Sequence, residues 1–224
     1  DLSATDVTFG FDSAVQTATE AIDKLHTTAE SHHRVMLVEV MGRDAGWIAL
    51  HSGMAGGADA ILIPEIPYYI DKLVKKIEMR ESKGSMFSIV VVAEGAKPIG
   101  GKVSVIEKKH LPWSLPRLGG AAERVAEEIE RLMEKETRVT VLGHIQRGGS
   151  PTPFDRNLGT RFGVCAVNLI AGGKFGQMVC LRGNEIKWVE LEQAVGRKKL
   201  VEPKGEMVMS ARAVGIDFCS APEK

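Results

Sequence analysis

The spacing of apolar and polar residues changes repeatedly along the chain. From Asp12 to about Glu30, Val15, Ala18, Ile22 and Leu25 recur at helical steps, which predicts a helix with one buried face, and Asp12 or Ser13 stands where a side chain can cap its first N–H groups. Arg34 to Met41 (RVMLVEVM) is a short, nearly continuous apolar run, the pattern of a strand covered on both faces, and Gly42 ends it. Ala45 to Met54 predicts a second helix that stops at Gly56-Gly57, and Ala60 to Ile63 a second strand stopped by Pro64. Ile70, Leu73, Val74 and Ile77 mark a third helix, and Phe87 to Ala93 (FSIVVVA) a third buried strand ending at Glu94-Gly95.

From Lys97 to Gly120 the chain has no clear period and is rich in Gly, Pro and mixed polar residues, so a long surface excursion is expected. Ala122, Val125, Ile129 and Leu132 then predict a helix, and Arg138 to Leu142 a strand ending at Gly143. Leu158, Phe162, Cys165 and Leu169 describe a helix that starts after Pro-Thr-Pro and closes at Gly172-Gly173, followed by a strand from Met178 to Leu181. Strands alternating with helices imply right-handed crossovers, hence an α/β fold in three layers: mainly parallel sheets with helices on both faces.

Composition narrows the chemistry. An apolar fraction of 44% supports a buried core. The 29 basic and 29 acidic side chains cancel, so no net field draws the chain to nucleic acid or to an anionic membrane, and any bound anion must be gripped locally. Cys165, Cys180 and Cys219 form no CxxC pair, which points to a reducing, cytoplasmic setting. No apolar run reaches the roughly 20 residues of a membrane helix. The sequence opens at Asp1 without an initiator Met and reads there as the middle of a loop, so a fragment is expected.

Open parallel sheets bind ligands beyond the carboxyl ends of their strands. Here Met41 is followed by Gly42-Arg43, Ala93 by Glu94, and Leu142 by Gly143, His144 and Arg147. Two arginines and a histidine can give charge-assisted hydrogen bonds to a phosphate, each about 1.5 to 3 kcal/mol, while Glu94 can accept from sugar hydroxyls. The pattern points to a phosphorylated sugar; the plainer alternative is that the glycines only turn the chain and the arginines pair with Asp44 or Asp155. Arg34 and Arg138 begin their strands and therefore face the opposite end of the sheet, roughly 20 Å away for a seven-residue strand. They either pair locally or serve a phosphate across a subunit interface.

Other templates fail. Gly95 to Lys102 (GAKPIGGK) has Ala96 where a phosphate loop needs its first glycine and Val103 where it needs a hydroxyl. The six histidines lack metal-ligand spacing, and Cys165 reads as an inert core thiol.

Three stretches carry a specific likeness: VEVMGRDAGWIAL around Arg43, AGGADAILIPE from Ala55, and VLGHIQRGGSPTPFDR from Val141 to Arg156 resemble the 6-phosphofructokinase family, bacterial ATP- or pyrophosphate-dependent type. The resemblance runs from Asp1 to about Leu200 and implies phosphoryl transfer from ATP or pyrophosphate, with Mg2+, to the 1-hydroxyl of fructose 6-phosphate in glycolysis. It implies that Met41, Gly42 and Arg43 contact the sugar phosphate, that Arg43 also steadies the transferred group, that Glu94 holds sugar hydroxyls, and that His144 and Arg147 hold the 6-phosphate. Arg34 and Arg138 match arginines that reach a neighbouring subunit's site, so a homo-oligomer, tetramer or dimer, is implied.

Asp1 matches the last acid of the family's TIDND-type catalytic motif, whose central Asp is the base and would lie two residues earlier. The nucleotide loops, the magnesium aspartate and that base all fall before Asp1, so no metal ligand is expected within the chain, and the 224-residue piece is predicted to be inactive alone. ATP is the preferred donor. Residues 1–10 and 146–199 would belong to a donor-side lobe left incomplete at its N-terminal part, and 11–145 with 200–224 to the sugar-side lobe. A rival reading is a non-catalytic sugar-phosphate sensor.

Overall fold

The structure is a computed structural model that describes residues 2–32, 34–107 and 117–221. Its centre is a four-stranded, all-parallel sheet in the order β2-β3-β1-β6, built from β1 (Val35–Val40), β2 (Ala60–Leu62), β3 (Ser88–Ala93) and β6 (Thr137–Val141). The expected strands all form, each within a residue or so of its predicted bounds. β1 and β3 are buried along their whole length, as near-continuous apolar runs require.

Alternate residues of β1 divide between two cores. Met36, Val38 and Val40 face α1 (Phe11–His32), α2 (Trp47–Ala55) and α7 (Glu206–Ala213), where Ile22, Leu50 and Val208 meet them. Val35 and Leu37 face α3 (Ile70–Ser82) and α4 (Ala121–Met133), against Leu73, Ile77, Val125 and Ile129. Helices on both faces of a parallel sheet give the three-layer α/β arrangement. Glu39 takes the next place in the Val35–Leu37 row and is only 3% exposed. It survives there because Oε2 accepts the Ala122 N–H at 2.9 Å: the residue that caps α4 is Gly120, which has no side chain to do so, and the β1 carboxylate does that work.

Several details depart from the sequence reading. The Lys97–Gly120 excursion contains two short antiparallel strands, β4 (Val105–Glu107) and β5 (Arg117–Leu118). The predicted last strand is β7 (Gln177–Arg182), and it turns at Gly183-Asn184 into an unexpected antiparallel partner, β8 (Glu185–Glu190), followed by α6 (Leu191–Val195). Asp12 and Ser13 reach across to α5 (Pro153–Ala171): Thr152 Oγ1 donates to Asp12 at 2.6 Å, and the Ser13 N–H and Oγ donate to Asp155 Oδ2 at 2.8 and 2.6 Å. Cys165 is half-buried on α5 beside exposed Val164, so it is not a core residue.

The first described residues are tied to the β7–β8 hairpin. Thr5 Oγ1 accepts the Leu181 N–H at 2.9 Å, and Asp6 Oδ2 accepts the Gly183 N–H at 2.6 Å.

Candidate functional site

The carboxyl ends of β1, β3 and β6 lie side by side because the three strands pair in register, Val40 opposite Ala93 and Glu39 opposite Val141. Each leads into a tight turn. After β1 the chain bends through Met41, Gly42 and Arg43, with Arg43 in the left-handed region at φ 49°. A Cβ on Gly42 would lie 2.4 Å from the Ala45 carbonyl oxygen, so the bend closes only around glycine. After β3, Glu94 turns its carboxylate onto that bend, where Oε1 accepts the N–H of Gly42 at 3.3 Å and of Arg43 at 2.9 Å. A left-handed arginine is costly, and these bonds offset the strain. After β6, Gly143–Arg147 winds into a 3₁₀ turn.

Two cavities open on these turns. The larger, of about 630 Å³, lies between the start of α1, the Met41–Arg43 bend, Trp47 and the loop from Gln146 to Pro151, with Arg43, Glu94 and Arg147 on its wall. Its size falls within the range of small-molecule sites. The smaller, of about 210 Å³, is lined by Glu39, Met41, Arg43, Glu94, Gly143 and His144. Met41, Arg43 and Glu94 therefore border both spaces. Of the residues singled out from sequence, Met41, Gly42, Arg43, Glu94, His144 and Arg147 come together here, with His144 and Arg147 on different sides.

Fixed walls surround the larger space. The Trp47 indole N–H donates to the Lys199 carbonyl at 2.7 Å, and the Lys199 ammonium is held by the Asp6 carbonyl at 2.6 Å. Burial pushes the Glu39 carboxyl above its ordinary range, against the pull of the Ala122 N–H, while nearby Glu123 adds to the rise.

Arg34 and Arg138 stand at the far end of the sheet, beside the first residues of β1 and β6. Both bind one carboxylate: the Arg34 Nε donates to Glu136 at 2.6 Å, and Arg138 to its other oxygen. The hydrogen bond from Arg34, then the Arg138 charge, hold the Glu136 carboxyl below its usual range. Asp1 lies outside the described residues. Among the described residues no group of three His, Cys, Asp or Glu side chains could hold a metal ion.

Residues missed from sequence include Gln146, buried within the 3₁₀ turn, and Thr152, whose side chain accepts the Asp155 N–H at the start of α5. Thr152 followed three residues later by Asp155 is a readable capping signature; an inward-facing glutamine between an isoleucine and an arginine has none.

The family model for Phosphofructokinase matches residues 1–170, and the chain belongs to that family. It is 56% identical over 219 residues to the ATP-dependent 6-phosphofructokinase 2 of Clostridium perfringens, covering 97% of this chain and 60% of that protein. It is also 54% identical over 201 residues to the pyrophosphate--fructose 6-phosphate 1-phosphotransferase of Amycolatopsis mediterranei, covering 90% of this chain and 59% of that one. The phosphofructokinase structure from Saccharomyces cerevisiae superposes with a TM-score of 0.74 at 34% identity, over 87% of this chain and 25% of that one. The chain thus spans about 60% of the length of the curated relatives it matches. Among the described residues no helix is long and apolar enough to cross a membrane.

Proposed function

We propose that this chain forms the acceptor half of a 6-phosphofructokinase, holding fructose 6-phosphate so that its 1-hydroxyl can take a phosphoryl group and become fructose 1,6-bisphosphate in glycolysis. The observation that carries this reading is the convergence of Arg43, Glu94, His144 and Arg147 on three adjacent strand ends.

His144 and Arg147 take the 6-phosphate, Glu94 accepts from the sugar hydroxyls, and Met41 and Gly42 line the ring. Arg43 steadies the group in flight: in-line transfer is governed by position and by cations around the moving phosphoryl. The sugar oxygen bonds to phosphorus as the donor's phosphorus–oxygen bond breaks, and the hydroxyl proton leaves to a base. Asp1 is proposed to stand next to that base. Mg2+ is proposed to accompany the donor, where it would neutralise phosphate charge.

The donor is ATP or pyrophosphate. Relatives named for each match the chain at 56% and 54% identity, so close similarity in this part does not separate the two donors; ATP is preferred. Residues 1–10 and 146–199 are proposed to face the donor and the remainder to face the sugar. A homo-oligomer, tetramer or dimer, completes each sugar site with Arg34 and Arg138 of a neighbouring copy, and Glu136 must then yield both guanidinium groups. The working compartment is the cytoplasm.

Calorimetric titration tests the reading. Fructose 6-phosphate should bind the 224-residue chain, and Arg43→Ala should weaken binding at least tenfold, the loss of one charge-assisted contact. With ATP or pyrophosphate added, this chain alone should form no fructose 1,6-bisphosphate. Unchanged binding in Arg43→Ala would remove the site; product formation would remove the half-site reading.

A further inference from the structure

We propose that Gln146 is a positioning residue that couples the bend after β1 to the turn after β6, and so fixes the spacing between the two halves of the sugar-phosphate site. The proposal rests on the functional reading above and adds to it a residue at the rim of the larger cavity whose amide is spent on backbone groups of the two turns.

The hydrogen bonds at the sheet edge carry the argument. Parallel pairing between β1 and β6 continues as far as the Leu142 N–H, which donates to the Glu39 carbonyl at 3.0 Å. The next rung would join the Met41 N–H to the Leu142 carbonyl. That carbonyl is drawn into the 3₁₀ turn, where it accepts the Ile145 N–H at 3.3 Å, and the Met41 N–H is directed to a side chain instead. Met41 would be left as a donor at the edge of the core, which proteins avoid.

Gln146 supplies the missing acceptor. Its Oε1 receives the Met41 N–H at 3.4 Å, and its Nε2 donates to the Gly143 carbonyl at 3.1 Å. The first bond ties the turn to β1, and the second locks the side chain against its own turn. Gln146 is 3% exposed while His144, Ile145 and Arg147 point outward, so the turn has one inward side chain and uses it for this link. A buried amide is costly unless both of its ends are satisfied, and here each end serves a different segment.

The chemistry selects glutamine. Asparagine is one methylene short, methionine offers neither good donor nor acceptor, and glutamate would place a carboxylate against the Gly143 carbonyl. With Glu94 holding the Gly42 and Arg43 N–H groups, three consecutive donors of the bend are fixed by two side chains from the turns that follow β3 and β6. Loss of Gln146 should free the phosphate-binding turn to drift from the bend while leaving each one formed.

The test pairs two ligands with one amide. In Gln146→Met, fructose 6-phosphate, which spans both turns, should bind about tenfold more weakly, the usual effect of one lost hydrogen bond and its partner's exposure. Inorganic phosphate, which needs only His144 and Arg147, should bind within about twofold of wild type, since it makes no demand on the spacing. By NMR, hydrogen exchange at the Met41 amide should speed up at least tenfold, with the Glu94 amide unchanged as the control. Equal losses for both ligands, or an unchanged Met41 exchange rate, would overturn the proposal. If wild type itself fails to bind fructose 6-phosphate, the functional reading falls, and Met41 exchange still decides whether Gln146 couples the turns. Should Gln146→Met not fold, Gln146→Asn, one methylene short of the Met41 N–H, tests the same link: the Met41 amide should again exchange at least tenfold faster, and an unchanged rate there would sink the idea.

Discussion

Gly95→Ala is the sharpest probe of how the site is built. A Cβ at this position would fall 1.8 Å from the Arg43 carbonyl oxygen and 3.0 Å from the Arg43 carbonyl carbon and Pro64 Cγ. The nearest obstacle is backbone, so no rotamer change can relieve it. The bend carrying Arg43 must retreat by roughly 1.5 Å before an ordinary contact is restored. Overpacking of this kind costs about 1 to 3 kcal/mol, and displacing the two N–H groups from Glu94 adds to it, so about 3 kcal/mol is expected. For a chain of this length that corresponds to a fall in melting temperature of roughly 6 to 12 °C. Thermal unfolding followed by circular dichroism, with a fructose 6-phosphate titration below the transition, gives both consequences: lower stability and lost affinity. Gly159→Ala is the matched control, since nothing lies within 4 Å of its Cβ and it sits inside α5, where alanine should stabilise by about 0.5 to 1 kcal/mol. A Gly95→Ala protein that melts within 2 °C of wild type and binds normally would refute the account of the bend.

Other predictions concern burial and charge. Glu39 has its folded-state pKa raised by burial above 4.5, so its proton is held more tightly in the folded chain and stability should fall as pH rises from about 4.5 through the folded value. Glu39→Gln keeps an acceptor for the Ala122 N–H and should flatten that fall in urea titrations across pH 4.5 to 7; an unchanged slope refutes it, with Asp59, also raised by burial, supplying what remains. Burial, then the Asp217 charge, push the Cys219 thiol well up, and Cys180 is fully buried, so a thiol reagent should label half-buried Cys165 first and the other two only on unfolding. Val167 and Ile170 are 64% and 60% exposed on α5; replacing both by Glu should reduce light scattering while leaving the melting temperature within about 2 °C, and a large drop would mean that they carry stability.

The sheet was legible from the chain because its strands are buried on both faces and read as unbroken runs, VMLVEV and SIVVVA, between glycines and charged turns. The same runs placed Arg43, Glu94, His144 and Arg147 at neighbouring strand ends, since a parallel sheet sends every strand end of one kind to one edge. What escaped has a physical cause. β8 carries Glu185, Lys187 and Glu190 and is largely solvent-facing, so its pattern lacks the apolar run that marks a core strand. Asp12 and Ser13 were expected to act within their own helix and instead bond to Thr152 and Asp155, 140 and 142 residues away, a pairing no local pattern encodes. Gln146 stands in for a backbone rung, and the need for it arises only once β6 has paired with β1.

The tie between Thr5 and Leu181 closes a span of 176 residues. At the usual pace of synthesis, about 5 to 20 residues per second, Thr5 waits on the order of 10 to 35 s for its partner to be made. The parallel sheet has all four of its strands by Val141, so it can assemble on the ribosome while that early strand of chain is still waiting. The Thr5–Leu181 tie is therefore a late event of biogenesis, and a ribosome stalled before residue 181 would carry the four sheet strands without it.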